Sequence, residues 1–137
     1  MQIWQTANAG VLLSLDGTNI LLDGVCKQVF PYQETPGSIR QELTKKLPDA
    51  VIYTHRHEDH FDESFVQVYK NAGVGAIIGP DDPLSTKVGT LNIIPVTTRH
   101  IGKSDVQHAS FIIEGSKCVW FLGDAAPSEF RNRRELS

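Results

Sequence analysis

Cysteine is scarce in this chain of 137 residues: Cys26 and Cys118 are its only two. They stand far apart and match no zinc-knuckle spacing, so a cysteine-built metal site is excluded. Long apolar runs are missing as well, and none approaches the length that crosses a bilayer. The N-terminus shows no basic segment followed by an apolar stretch and a cleavage site, so secretion is not expected and the cytoplasm is the expected compartment. Charge of one sign is also lacking. With a net charge of −3 and a pI of about 5.9 there is no electrostatic footprint for nucleic acid, although a basic groove can be local. No internal repeat, low-complexity stretch or linker interrupts the chain, so residues 1–137 are expected to form one domain. The hydrophobic share of 40% and charged share of 21% suit a globule with a core of its own.

Local patterns predict alternating strands and helices. Met1–Thr6 and Gly10–Leu15 read as strands, and Asp16-Gly17-Thr18-Asn19 as a tight turn. Asn19–Asp23 is the returning strand. A loop with Pro31 and Pro36 leads to a helix over 37–47, where Ile39, Leu43 and Leu47 recur on one face and Pro48 is the stop. Asp49–Tyr53 is a short buried strand. A second helix shows Phe61, Phe65, Val68 and Tyr69 at helical spacing, with Asp62 and Glu63 in its first turn and Asn71-Ala72-Gly73 at its end. Ala76–Gly79 is a strand, and residues 80–83 are a turn or a short helix start. Leu91–Thr98 is β-rich, with Pro95 pointing to an edge or bulge. His108–Ile113 and Lys117–Leu122 flank Glu114-Gly115-Ser116 as a hairpin. Within it Cys118 is expected to be a small buried hydrophobe; Cys26 is read as a packing residue in a loop. The tail from Arg131 to Ser137 is expected to be a solvated charged end.

Chemistry concentrates in one stretch. His55, His57 and His60, with Glu58 and Asp59, follow directly on the apolar run Ala50-Val51-Ile52-Tyr53. Imidazole nitrogen and carboxylate oxygen are ligands for Zn²⁺ and its neighbours in the first transition row. On a helix His55 and His57 would face apart; at a strand end they can converge. Two further strand ends carry His100 and Asp124, and sites gathered from several strand ends are how a rigid scaffold holds reactive groups. The plain alternative is a solvated, histidine-rich loop. Asp23, at the end of the first hairpin, caps turn amides or braces the metal loop; the sequence leaves both open.

The run His55-x-His57-x-Asp59-His60, with His100, Gly123-Asp124-Ala125 and the early Asp23, resembles the metallo-β-lactamase fold superfamily. Within it the chain looks most similar to the bacterial lactonase-like metal-dependent hydrolases. The resemblance implies an α/β fold, a four-layer αβ/βα sandwich, whose second half is expected to be incomplete here. It implies that His55, His57 and His100 bind one ion, that Asp59 and His60 bind another, and that Asp124 bridges them. One or two Zn ions are expected, with Fe or Mn as alternatives. The activity implied is hydrolysis of an ester, lactone or phosphoester in a small-molecule substrate by a metal-bound hydroxide, with Asp59 also shuttling a proton.

Departures accompany the likeness. The thirteen residues after Asp124 contain no histidine, where the family adds one more ligand. His108 is the spare imidazole, and bracing or packing is expected of it rather than ligation. An open edge at Lys117–Leu122 would invite a second copy, giving a homo-oligomer or else a marginally stable chain. Two other readings stay in play: a non-catalytic metal-binding remnant or interaction module, and a mononuclear iron thiol-dioxygenase type of redox enzyme. The di-iron relatives carry glutamate where His57 stands, which disfavours that branch. Arg99, Lys103 and Lys27 are candidate anion holders, each read more simply as surface charge.

Overall fold

A computed structural model describes residues 1–82, 84–102 and 105–130. Lys103 and the tail from Arg131 lie outside them. Among the described residues nine strands form two sheets. The first contains β1 (Gln2–Ala7), β2 (Gly10–Leu15), β3 (Thr18–Leu22), β4 (Ala50–Ile52) and β5 (Ala76–Ile78), side by side in that order. β1, β2 and β3 pair antiparallel, whereas β3, β4 and β5 run parallel because helices α1 (Gly37–Lys45) and α2 (Glu63–Asn71) make the crossovers. The second sheet is an antiparallel meander of β6 (Thr86–Val88), β7 (Leu91–Thr97), β8 (Ala109–Glu114) and β9 (Cys118–Phe121).

The sheets pack face to face. Leu13, Leu15, Ile20, Leu22, Ile52 and Ile78 from the first meet Leu91, Ile93, Phe111 and Ile113 from the second in one buried cluster. On the outer face of the first sheet Leu21 and Val51 pack against Leu43 of α1 and Tyr69 of α2. β4 is therefore apolar on both faces, which is why its sequence reads as an unbroken run. Three of the four expected layers are present: helices, sheet, sheet. Among the described residues no α-helix covers the outer face of the second sheet.

Two local devices fix this frame. Asp62 caps α2, its carboxylate accepting from the Ser64 amide at 3.1 Å, and it also receives Arg40 Nη1 from α1 at 3.1 Å. At the other end of the sandwich Asp16, in the β2–β3 turn at φ +52°, takes the Ser116 amide (2.7 Å) and hydroxyl from the β8–β9 turn. That clasp joins the two sheets far from the histidine cluster.

Several expectations are corrected. Cys118 is exposed rather than buried. It opens edge strand β9 opposite the exposed Glu114, and alternation sends Val119 and Phe121, not Cys118, toward the core. Val68 is 39% exposed while Val66 is 7%, because about 100° per residue puts Phe65, Val66 and Tyr69 on one face and Val68 beside it. Leu47 is 37% exposed, since α1 ends at Lys45, before the third residue of its stripe. Pro95 lies in a central strand, but opposite a stretch that β6, pairing only as far as Ile93, does not reach. On that side it is locally an edge, as the proline suggested.

Candidate metal centre

Strand ends converge at one rim of the sandwich. β3 delivers Asp23, which extends the ladder through its amide to Ile52 O at 2.9 Å before turning away at φ +47°. β4 opens into Thr54–His60, β7 into Thr98–His100, and β9 into Gly123-Asp124; His108 immediately precedes β8. Backbone bonds stitch these segments together across the sheets. Ala109 donates to Thr54 O (3.0 Å), Ile101 to Asp124 O (2.8 Å) and Ala126 to Arg99 O (2.7 Å). Gly123 has φ +57°, and a Cβ there would sit 2.6 Å from Thr54 Oγ1, so only glycine lets β9 come this close to the loop after β4.

The rings of His55, His57 and His100 form a triangle with every centroid separation 4.8 Å, each pair edge to face. Their ligand atoms lie within 4.8 Å of one another, as do those of a second group, Asp59, His60 and Asp124. One oxygen, Asp124 Oδ2, stands between the groups, 3.3 Å from His60 Nε2, 3.3 Å from His100 Nε2 and 3.6 Å from His55 Nε2. Asp59 Oδ2 is 3.6 Å from His60 Nε2. The sequence candidates His55, His57, Asp59, His60, His100 and Asp124 are thus brought to one place.

Hydrogen bonds on the outward nitrogens decide which lone pairs face inward. Nδ1 of His60 donates to Asp23 Oδ2 (2.7 Å), and Nδ1 of His100 to Ile101 O (2.7 Å). Nδ1 of His55 meets Thr54 Oγ1 at 2.9 Å. The Nε2 atoms of His55 and His100 are fully buried and make no hydrogen bond among the described residues, Asp124 Oδ2 being the charged atom that faces them. Buried acceptors without a partner are rare and costly. Two of them, aimed at one point beside carboxylates, match the donor set of a transition metal and fit such an ion.

Burial drives His55 down to about 3, with His60 adding to the shift. Burial also opposes a charge on His60, but hydrogen bonds to Asp124 and Asp23 outweigh it and lift His60 to about 10. The same His60 bond lowers Asp124 to about 2 against its own burial. Asp23 is pushed up by burial, opposed by His60 and Thr54. It both ends its strand and braces the loop: Oδ1 accepts the Thr54 amide (2.8 Å), and Oδ2 accepts the Thr54 hydroxyl (2.7 Å) as well as His60.

His108 is occupied elsewhere. Its Nδ1 meets Thr98 Oγ1 at 2.8 Å, and its Nε2 accepts the amide of Asp124 at 3.1 Å, so it steadies the segment that carries the shared carboxylate. A hollow of about 560 Å³ has His108 and Thr98 in its wall but none of the six converging residues. Thr54 and Thr98 are absent from a reading of the sequence, because a threonine signals nothing until its neighbours in space are known. Of the candidate anion holders, Lys27 is exposed and Arg99 reaches Ser128 Oγ at 3.2 Å.

No protein-family model and no curated protein sequence matches the chain. Solved structures do. An isothiocyanate hydrolase from Delia radicum gut bacteria aligns with 92% of this chain and 64% of its own, at a TM-score of 0.64 and 18% identity. The metallo-β-lactamase fold protein YhfI from Bacillus subtilis aligns with 83% of this chain and 53% of its own (TM-score 0.54, 22% identity). CmlA, a diiron β-hydroxylase from Streptomyces venezuelae, aligns with 90% and 30% (TM-score 0.53, 17% identity). The chain therefore spans less than two thirds of each of these structures. With two facing sheets, helices on the first, and histidines and aspartates gathered at the strand ends, the chain has the metallo-β-lactamase fold.

Proposed function

We propose that this chain carries the metal centre of a hydrolase that cleaves an ester, lactone or phosphoester in a small molecule. The observation that carries the reading is the pair of buried Nε2 atoms of His55 and His100 that make no hydrogen bond among the described residues and face Asp124. His55, His57 and His100 would hold one ion, and Asp59 and His60 a second. Asp124 Oδ2, within 3.6 Å of three of the imidazoles, would serve both. Bound by these residues, zinc would supply Lewis acidity toward a carbonyl or phosphoryl oxygen and a water that ionises near neutral pH.

The chain's own residues do the rest. Asp23 orients His60 and, through Thr54, His55; His108 steadies the Asp124 segment. Asp59, partly open to solvent, passes a proton toward the leaving group. Histidine at position 57 and the carboxylates suit zinc, but the diiron neighbour keeps iron, and with it oxidative chemistry, as the second reading. Both cysteines are free, which suits a reducing compartment such as the cytoplasm.

Metal content decides among these. Protein purified without added metal is expected to hold one to two equivalents of zinc and to hydrolyse model esters or phosphoesters, with activity lost on chelation and restored by zinc. Iron at the same sites would favour the oxidative reading. Tight zinc binding with no turnover in a broad ester, lactone and phosphoester screen would leave a binding module.

A further inference from the structure

Thr54 is fully buried, and each of its polar atoms is engaged. Its amide donates to Asp23 Oδ1 and its carbonyl accepts from Ala109 at the start of β8. Its hydroxyl lies between two groups, Asp23 Oδ2 at 2.7 Å and His55 Nδ1 at 2.9 Å. A hydroxyl has one proton to give. Asp23 Oδ2 already takes the Nδ1 proton of His60, and as a carboxylate oxygen it accepts only, so the threonine proton points at Asp23. Toward His55 the hydroxyl can then only accept. His55 must carry its proton on Nδ1, and its Nε2 lone pair is turned into the centre.

We propose that the Thr54 hydroxyl is a positioning group that fixes the tautomer of His55 and couples it, through one oxygen of Asp23, to His60. One buried carboxylate oxygen thereby aims two imidazoles, His60 directly and His55 through the threonine. Because Thr54 is sealed from solvent, no water takes over if the hydroxyl is removed. Thr54 Cβ and Oγ1 also form the wall against which Gly123 packs, so its shape matters apart from its bonding. The two contributions separate in Thr54→Val, which keeps the shape and loses the hydroxyl, and in Thr54→Ser, which keeps the hydroxyl.

The inference rests on reading the cluster as a metal centre, and the test keeps the two apart. Long-range ¹H–¹⁵N spectra of the metal-free full chain report the His55 tautomer, and zinc titration reports affinity. Wild type and Thr54→Ser are expected to show His55 protonated on Nδ1 and to bind zinc within a few-fold of one another. Thr54→Val is expected to lose that tautomer and to bind zinc about 10–100-fold more weakly. The Co²⁺-loaded form would show a changed ligand-field spectrum in the valine variant alone. A wild-type His55 protonated on Nε2, or a valine variant with unchanged tautomer and affinity, overturns the proposal. If the valine variant does not fold, the wild-type and serine spectra decide. Wild type that binds no zinc yet keeps the Nδ1 proton on His55 overturns the metal reading and leaves the threonine's role standing.

Discussion

His60 is held between carboxylates, Asp23 at its Nδ1 and Asp124 at its Nε2, and the hydrogen bonds to both outweigh burial and lift it to about 10. A cation taking the Nε2 position must displace the proton there. Zinc loading at pH 7 is therefore expected to release a proton and to weaken as pH falls, measurable by calorimetry in buffers of different ionisation heat. The metal-free chain should also have a stability maximum near pH 6–7. His55 and His108 titrate at about 3 and about 4, below the ordinary 6.5, so their contribution is present above 6.5 and is lost as pH falls. His60 is raised, so its contribution is complete below 6.5 and is lost as pH climbs toward 10. Thermal melts from pH 4 to 10 with a chelator present check both arms; a flat profile would contradict the charge arrangement. At this scale the candidate ligands stand out in the sequence because imidazoles and carboxylates at ligand spacing are scarce, and the structure brings them together. The pairing of Asp124 with the His108 ring is not, because it depends on two strand ends meeting.

The elements owe their positions to a few polar contacts laid over apolar patterning. Asp62 is the clearest, since it caps α2 and ties it to α1 through Arg40. Asp62→Ala is expected to cost about 1–2 kcal/mol in urea denaturation while leaving zinc stoichiometry unchanged. Strands and helices with a strong period, such as β2, β3 and α2, can be read from sequence nearly to their ends. β6 cannot: Thr86-Lys87-Val88 has one buried side chain and becomes a strand only because β7 pairs with it. Cys118 is misread for a related reason. The face of β9 that a residue takes is set by register with β8, and an apolar neighbourhood in sequence does not reveal which face is covered.

For the whole molecule, the two ends of the sandwich and its uncovered edge matter most. β9 is an edge of the second sheet, and Leu122 beyond it is 41% exposed. We propose that this edge pairs with a second copy, and light scattering at micromolar concentration is expected to give a dimer or larger; a heat-stable monomer would count against it. The family likeness implies a four-layer αβ/βα sandwich with an incomplete second half, and three of those layers stand among the described residues, whereas the alternation of strands and helices alone does not reveal which strands share a sheet. The face-to-face seating of the two sheets is secured twice, by the histidine rim and by the Asp16–Ser116 clasp at the opposite end. The molecule behaves like a book whose spine is stitched independently of its latch. Stripping the metal should spring the latch alone: amide exchange is expected to quicken around Thr54–His60 and Gly123–Ala126 while the turns at Asp16–Thr18 and Gly115–Lys117 keep their protection. A chain that loses its ion would then await the next one nearly closed, without refolding to receive it.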